Sequence, residues 1–351
     1  MTDQSSPSIE VHVPLLNERA SIERLIDSFE RQTFKDFTVV LHDNASDDGS
    51  SELLNQLVGK SPRYKHVRYD VRKSVYGQAV RIEGYNKRGR FISIRSANDF
   101  LLPGYYGEVF ELLSGRPDIA LAYSHGFEMP EGTTSAITNS FFRISTLGMS
   151  RDAAFRHVVS TYTQSFSLWG TYRRDIYERL CGIRCYGSDH VWIAQVSLLG
   201  AIASTEAPLD VMVTRPRSLN DAEKAAGLSG LWASHHPELL AGGQISSRFV
   251  SPDIYAPFCS MLYGHLEMLR FAVIDDEDLN HLSNIARQAL VQRFGKLMIN
   301  EINRLKEIFA DHIAPSLGAF HFSKIGDGLA GNIPRSRLHS LMLLEPFIQN
   351  E

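Results

Sequence analysis

The chain has 351 residues, of which 43% are hydrophobic and 22% charged, and its formal net charge is -4. That balance excludes a general nucleic-acid binder, which would be basic. The length predicts two globular units, each able to bury a core without covalent staples.

Three cysteines, Cys181, Cys185 and Cys259, are an odd set without framework spacing. They read as reduced thiols in the cytoplasm, and no second Cys/His pair stands near enough for a zinc site. Met1 to Ser8 is polar and carries no leader, and no run of about 18 apolar residues would span a bilayer. The expected location is cytoplasmic, with peripheral contact at the inner face of the membrane left open.

Ile9 to Leu16 reads as a strand and Glu18 to Gln32 as a helix, with Ile22, Leu25, Ile26 and Phe29 on one face. Phe37 to Leu41 is a second strand. Asp43 to Ser50 is turn and cap chemistry, with Asp47 and Asp48 expected to cap the helix that begins at Ser51. His66 to Tyr69, Arg90 to Ile94 and Ile119 to Tyr123 continue the strands, with helices over Gly77 to Tyr85 and after Pro103-Gly104. Strands alternating with helices predict an α/β fold with a mostly parallel sheet. Ligands of such sheets bind at the carboxyl ends of the strands. Asn17-Glu18, Asp43-Asn44 and Asn98-Asp99 lie in three such loops and are expected to converge.

The pattern changes after about Pro216. Phe258 to Phe309 reads as almost wholly helical, with Leu290, Phe294, Leu297, Met298, Ile302, Leu305 and Phe309 recurring at helical spacing. Packing on its own domain is the first reading and a partner or dimer helix the second; the region is expected to complete the acceptor side, contact the membrane or mediate homo-oligomerisation. Gly326 to Asn332 lacks the Lys-Ser/Thr of a phosphate loop and reads as a connector. The domain boundaries read as 1–217 and 218–351.

Val13 to Leu54 (VPLLNERASIERLIDSFERQTFKDFTVVLHDNASDDGSSELL) resembles the opening of an inverting family-2 glycosyltransferase with a GT-A fold, a Rossmann-like nucleotide-diphospho-sugar transferase. The likeness lies in Val-Pro-x-x-Asn-Glu, in Gln32, Thr33, Asp36 and Phe37, and in Asp43 to Gly49; it continues more weakly to about Arg217. It implies that Asp43 accepts an N–H of the donor's base, that Pro14 and Leu15 flank the base, and that Asn17 and Glu18 lie near the base and ribose. Ser96, Ala97 and Asn98 would complete the nucleotide contacts. The family's Asp-x-Asp, which holds Mg²⁺ or Mn²⁺ on the donor diphosphate, is here Ser96 and Asn98 followed by Asp99. The cation is therefore a weakened expectation, with Asn98 and Asp99 its remaining ligands. The alternative is neutralisation by arginine or lysine, for which Arg72, Lys73, Arg81, Arg95, Arg215 and Arg217 are candidates by position.

Ser167 to Gly200 resembles the family's second signature, with Ser188 in place of the usual Glu and Asp189 kept. The resemblance implies Asp189 as the general base that takes the acceptor's proton; by itself Ser188-Asp189 also reads as a helix cap. Trp169, Gly170, His190, Arg215 and Arg217 stand where phosphate or acceptor contacts fall. Trp192 reads as core. The processive members' Gln-x-x-Arg-Trp motif is not visible.

The resulting expectation is transfer of a single sugar from a nucleotide-sugar donor, UDP or dTDP favoured, to a glycan or glycolipid acceptor, as in polysaccharide or lipopolysaccharide assembly. Two other classes are weighed against it. One is a nucleotide-binding or scaffolding pseudoenzyme, suggested by the lost carboxylates. The other is a nucleotidyltransferase, whose Gly-rich basic loop Val13 to Arg19 does not supply.

Overall fold

The computed structural model describes residues 6–73, 75–133, 138–139, 143–162, 166–180 and 188–214, with a few helical positions between 278 and 289. Cys181, Cys185, Cys259, the 326–332 connector, Arg215, Arg217 and most of the 258–309 segment lie outside the described residues. The chain divides into two compact units, Met1–Arg184 with Trp192–Arg217, and Cys185–Val191 with Ser218–Glu351.

The first unit opens with β1 (Ile9–Leu15), α1 (Arg19–Glu30), β2 (Phe37–Asp43), α2 (Ser50–Val58), β3 (Tyr64–Arg68), α3 (Val75–Glu83) and β4 (Phe91–Ile94). There follow β5 (Phe100–Leu101), α4 (Tyr105–Gly115), β6 (Ile119–Tyr123), β7 (Gly126–Pro130), β8 (Thr138–Asn139) and α5 (Arg151–Thr161). β9 (Thr171–Arg173), α6 (Arg174–Tyr177), α7 (Ser188–Leu199), β10 (Ala201–Ser204) and β11 (Asp210–Thr214) complete the described part.

The main sheet has the order β10-β6-β9-β4-β1-β2-β3. It is parallel except for β9, which runs antiparallel to both its neighbours, β4 and β6. The mostly parallel α/β sheet read from the sequence is therefore the fold that forms. A second sheet, β5-β11-β7-β8, is an addition to that reading. Its strands of two to five residues are too short to show a period. Ile22, Leu25 and Phe29 of α1 pack on Val11, Val13, Leu15, Val39 and Leu41 of the sheet. Full burial of each such side chain contributes about 1.5–3 kcal/mol. In the second sheet Gly126 lies in register with Asp210. A Cβ at Gly126 would fall 1.8 Å from the Asp210 carbonyl oxygen, so only glycine lets β7 approach β11 there.

Glu10 and His12 interrupt the apolar run of β1, yet both are buried. They begin a chain of polar contacts across the sheet. His12 Nε2 lies 3.2 Å from Glu10 Oε1. His12 Nδ1 lies 2.9 Å from His42 Nε2, and His42 Nδ1 is 3.0 Å from the Tyr69 hydroxyl. With both imidazoles neutral, one direction fits the chain: Tyr69 donates to His42 and His42 to His12, which turns the Nε2–H of His12 towards the Glu10 carboxylate. Burial depresses both histidines, and the facing His12 adds to the effect on His42, which falls from 6.5 to about 3. A proton on His42 would turn its bond with the Tyr69 hydroxyl round and place a charge in the buried interior.

The folded state holds His42 neutral while the unfolded chain binds a proton below 6.5, so stability falls as pH drops from 6.5 towards 3. The loss from this residue alone at pH 5 is about 2 kcal/mol. Urea midpoints at pH 7.5, 6 and 5 should fall steeply in the native chain and less in His42→Gln. Parallel slopes for the two proteins would remove the assignment.

Candidate functional site

The ends of β1 and β2 carry the densest hydrogen-bonded loops. Asp43 closes β2 and is fully buried. Its Oδ1 accepts the Ser46 N–H at 2.9 Å, and its Oδ2 accepts the Ser51 hydroxyl. His66 Nε2 and Arg68 Nη1 stand 3.5 and 3.6 Å from Oδ2. Burial raises the Asp43 carboxyl, but the bonds from Ser46 and Ser51 outweigh it and hold the group below the usual carboxylate range. The charge is thus fixed at the strand end, and it lies beneath the loop rather than on the surface.

Asp47 and Asp48 are not the N-cap of α2: Gly49 holds that position with φ 88°, and it makes no side-chain cap. Asp48 accepts the Ser50 and Arg19 N–H groups, tying the loop to both helices. Asp47 exchanges two hydrogen bonds with Asn17 and pairs with Arg72 at 2.9 Å. Leu15 does not present a side chain to a ligand, because it points into the core with 2% exposure. Only its carbonyl is at the site, where it accepts the Asn44 N–H and the Gln78 side chain. Pro14, half-buried, lies on the opposite face of the strand.

Asn17 (φ 56°) and Ala45 (φ 61°) are the two non-glycine residues with positive φ among the described residues, and both lie in these loops. Backbone strain of this kind is held in place by its surroundings and gathers at ligand sites. Glu18 is the N-cap of α1, where its carbonyl accepts the Ser21 and Ile22 N–H groups. Asn44 anchors the basic rim. Its side chain donates to Lys73 O at 2.7 Å and accepts from Lys73 N and Arg81 Nη1 at 2.9 Å each. Arg81 also lies over the Tyr69 ring, 4.4 Å from its centroid. Arg72, Lys73 and Arg81 therefore surround the Asn44–Asp47 loop. Gln78, which sequence reasoning passed over, bridges the ends of β1 and β2 through Leu15 O and His42 O. A glutamine inside a helical pattern gives no sign of this.

The turn after β4 holds Arg95, Ser96, Ala97, Asn98 and Asp99. Arg95 was a candidate to neutralise phosphates, and the structure corrects this. It is 1% exposed and makes a bidentate pair with Asp210 at 2.8 and 2.6 Å. Its Nη1 also donates to Trp169 O at 2.7 Å. The Ser96 hydroxyl donates to Asn98, and Asn98 Nδ2 donates to Val213 O at 3.0 Å. Arg24 of α1 donates to Asn98 O at 2.8 Å. Ala97 is buried. Asp99 is buried too, with Oδ1 accepting the Val213 N–H at 2.8 Å. Burial and the charge of Asp210 push its carboxyl up to about 6.

Mg²⁺ and Mn²⁺ take hard oxygen ligands, carboxylates above all. This turn offers two neutral oxygens bonded to each other and one carboxylate committed to β11. Among the described residues no group of three His, Cys, Asp or Glu could hold a metal ion. A divalent cation is a possible cofactor, to which the 95–99 turn itself would supply few ligands.

Trp169 is half-buried in the turn before β9. Gly170 is buried, and a Cβ there would meet the Leu121 side chain at 2.5 Å and the Ala122 and Ser167 carbonyl oxygens at 3.0 Å, so a larger residue would crowd the turn. Trp192 fills the core beside Tyr172 and Tyr177, with centroids 6.1 and 5.6 Å away. Asp189 and His190 lie in the first turn of α7, within the Cys185–Val191 segment that groups with the second unit.

Residues 10–180 match the model of Glycosyl transferase family 2. The chain carries a family-2 glycosyltransferase domain. Among solved structures, S. aureus TarS 1-349 in complex with UDP-GlcNAc aligns with a TM-score of 0.52 at 13% identity, over 98% of this chain and 92% of that chain. Its UDP complex aligns with the same values. The mannosyltransferase PcManGT from Pyrobaculum calidifontis, in complex with GDP-Man and Mn2+, gives 0.49 at 14% identity, over 99% of this chain and 88% of that chain. No curated protein matches the chain. The likeness to TarS is one of fold, and it agrees with the GT-A arrangement of the glycosyltransferase domain. Among the described residues no helix is long and apolar enough to cross a membrane.

Proposed function

We propose that the glycosyltransferase domain binds a nucleoside-diphosphate sugar at the ends of β1, β2 and β4 and transfers one sugar, with inversion, to a hydroxyl of a glycan or glycolipid. The observation that carries this reading is the loop cluster around Asp43. A fixed carboxylate sits at the strand end under a strained, hydrogen-bonded loop rimmed by Arg72, Lys73 and Arg81. A base N–H would replace part of the serine bonding to Asp43, while the basic rim faces the diphosphate. Pro14, Asn17, Glu18, Ser96 and Asn98 line the same strand ends, and Arg215 and Arg217 follow β11. A uridine nucleotide is the first choice, supported by the TarS complexes with UDP-GlcNAc and UDP.

In the transfer, the acceptor oxygen attacks the anomeric carbon as the bond to the diphosphate oxygen breaks. The electron pair leaves with the nucleoside diphosphate, and the acceptor's proton passes to the Asp189 carboxylate. The thin metal ligand set leaves a second reading, a nucleotide-binding protein without turnover.

Thermal unfolding with UDP, dTDP, GDP, CDP and CMP, each with Mn²⁺ and with EDTA, tests the site. A nucleotide at 100 times its Kd adds about 2.7 kcal/mol of stability. We expect a shift with one nucleoside diphosphate, kept in EDTA and lost in Asp43→Ala. No shift with any nucleotide would sink the donor site. A shift without sugar transfer or donor hydrolysis would select the second reading.

A further inference from the structure

At the opposite end of the sheet a second concave site gathers arginines. A cavity of about 420 Å³ is lined by Ser6, Pro7, Ser8, Arg88, Arg90, Arg173, Arg174 and Asp175. It lies at the amino ends of β1 and β4, where the antiparallel β9 terminates. β1 has seven residues, so the Asp43 loops are about 20 Å away along the strands. Four arginines and one aspartate line it in a chain whose net charge is -4. Among the described residues none of the four makes an ion pair.

The walls are fixed before any ligand arrives. Glu10 Oε2 accepts the Arg88 and Gly89 N–H groups at 2.6 and 2.8 Å. A Cβ at Gly89 would meet Glu10 Cβ at 2.7 Å, so the 88–90 loop lies tightly on β1. Arg90 N donates to Pro7 O and Arg174 N to Arg90 O, which joins all three walls. Arg174 Nη1 donates to Arg88 O at 3.3 Å. Arg173 is half-buried, with its guanidinium on Ile119 O and on Leu113 O and Arg116 O at the end of α4. It supplies charge from a fixed position, while Arg88 and Arg90 are exposed.

We propose that this cleft is an anion site for a phosphate-bearing ligand, distinct from the donor site. Guanidinium forks match phosphate oxygens and need no metal. The volume suits a small molecule carrying a diphosphate, and a concave wall favours a discrete ligand over a flat lipid surface. The phosphate could come from a soluble compound or from a lipid headgroup, and the test separates the two.

Titration calorimetry of the full chain with inorganic pyrophosphate is compared between the native protein and Arg88→Ala/Arg90→Ala. Each lost charge-assisted contact weakens binding about tenfold or more. We expect the double variant to bind pyrophosphate at least about tenfold more weakly, with an unchanged melting point and an unchanged nucleotide shift. In parallel, sedimentation with phosphatidylglycerol vesicles and with phosphatidylcholine vesicles should leave the native chain unbound. Equal pyrophosphate affinity in the two proteins, or no binding by either, overturns the proposal. Arginine-dependent sedimentation with the anionic vesicles and no pyrophosphate binding overturns it in favour of a membrane contact.

Discussion

Asp189→Asn should lower sugar transfer by about 10²- to 10⁴-fold, the usual worth of a positioned general base. Asparagine keeps the size of the side chain, so α7 should form as before. What it removes is the ability to take a proton from the acceptor hydroxyl. The loss should therefore fall on kcat, with the nucleotide-induced thermal shift intact. Transfer within tenfold of the native rate would rule Asp189 out as the base. If nucleotide binding disappears together with transfer, the residue serves the donor site or the fold instead. In that case Asp43→Ala, which should abolish the nucleotide shift, gives the reference behaviour for a donor-site defect.

The second large effect lies in the Arg95–Asp210 pair. Arg95→Met should destabilise the first unit by about 3–5 kcal/mol, because it leaves a buried carboxylate without a counter-charge. At the usual scale this is roughly 10 °C in Tm. Asp99 makes matters worse, since it is buried beside Asp210 and already feels its charge. Asp210→Leu should cost a similar amount by stranding the guanidinium. The double variant Arg95→Met/Asp210→Leu should recover most of the loss, since an apolar pair of similar volume replaces the ions. Additive losses would show that the two residues do not act as a pair. The pair matters to the site because Arg95 also holds Trp169 O, so one guanidinium joins the 95–99 turn, the turn before β9 and β11.

Much of this architecture was legible in the residues and some was not. The first two strands, read as far as Leu16 and Leu41 and ending at Leu15 and Asp43, and the helix after Asn17 follow from local apolar spacing and turn chemistry. The register of β1 on β2 then brings Leu15 level with Asp43. The Arg95–Asp210 contact spans 115 positions, and nothing local marks either residue. Arg95 therefore read as a free cation. Glu10 and His12 were hidden for another reason. Two polar residues in an apolar run do not show locally what covers them, and only the neighbours His42, Tyr69 and Tyr85 make that face dry. Asp47 and Asp48 read as caps by composition, but Gly49 and its positive φ took the position. The second sheet escaped because β5 and β8 have two residues each.

The place of β9 also sets an order of events during synthesis. β4 and β6 do not pair with each other; the three residues of β9 lie between them and pair with both. β6 is Ile-Ala-Leu-Ala-Tyr, buried throughout, and its other partner is β10. A nascent chain that has emerged through Tyr123 thus exposes an apolar strand with no sheet to join until roughly fifty more residues follow, a delay of several seconds at ordinary elongation rates. The β3-β2-β1-β4 half can assemble early, and β6 must wait. A ribosome stalled before Thr171 would hold a half-built sheet with an unpaired apolar strand, the kind of intermediate that chaperones recognise.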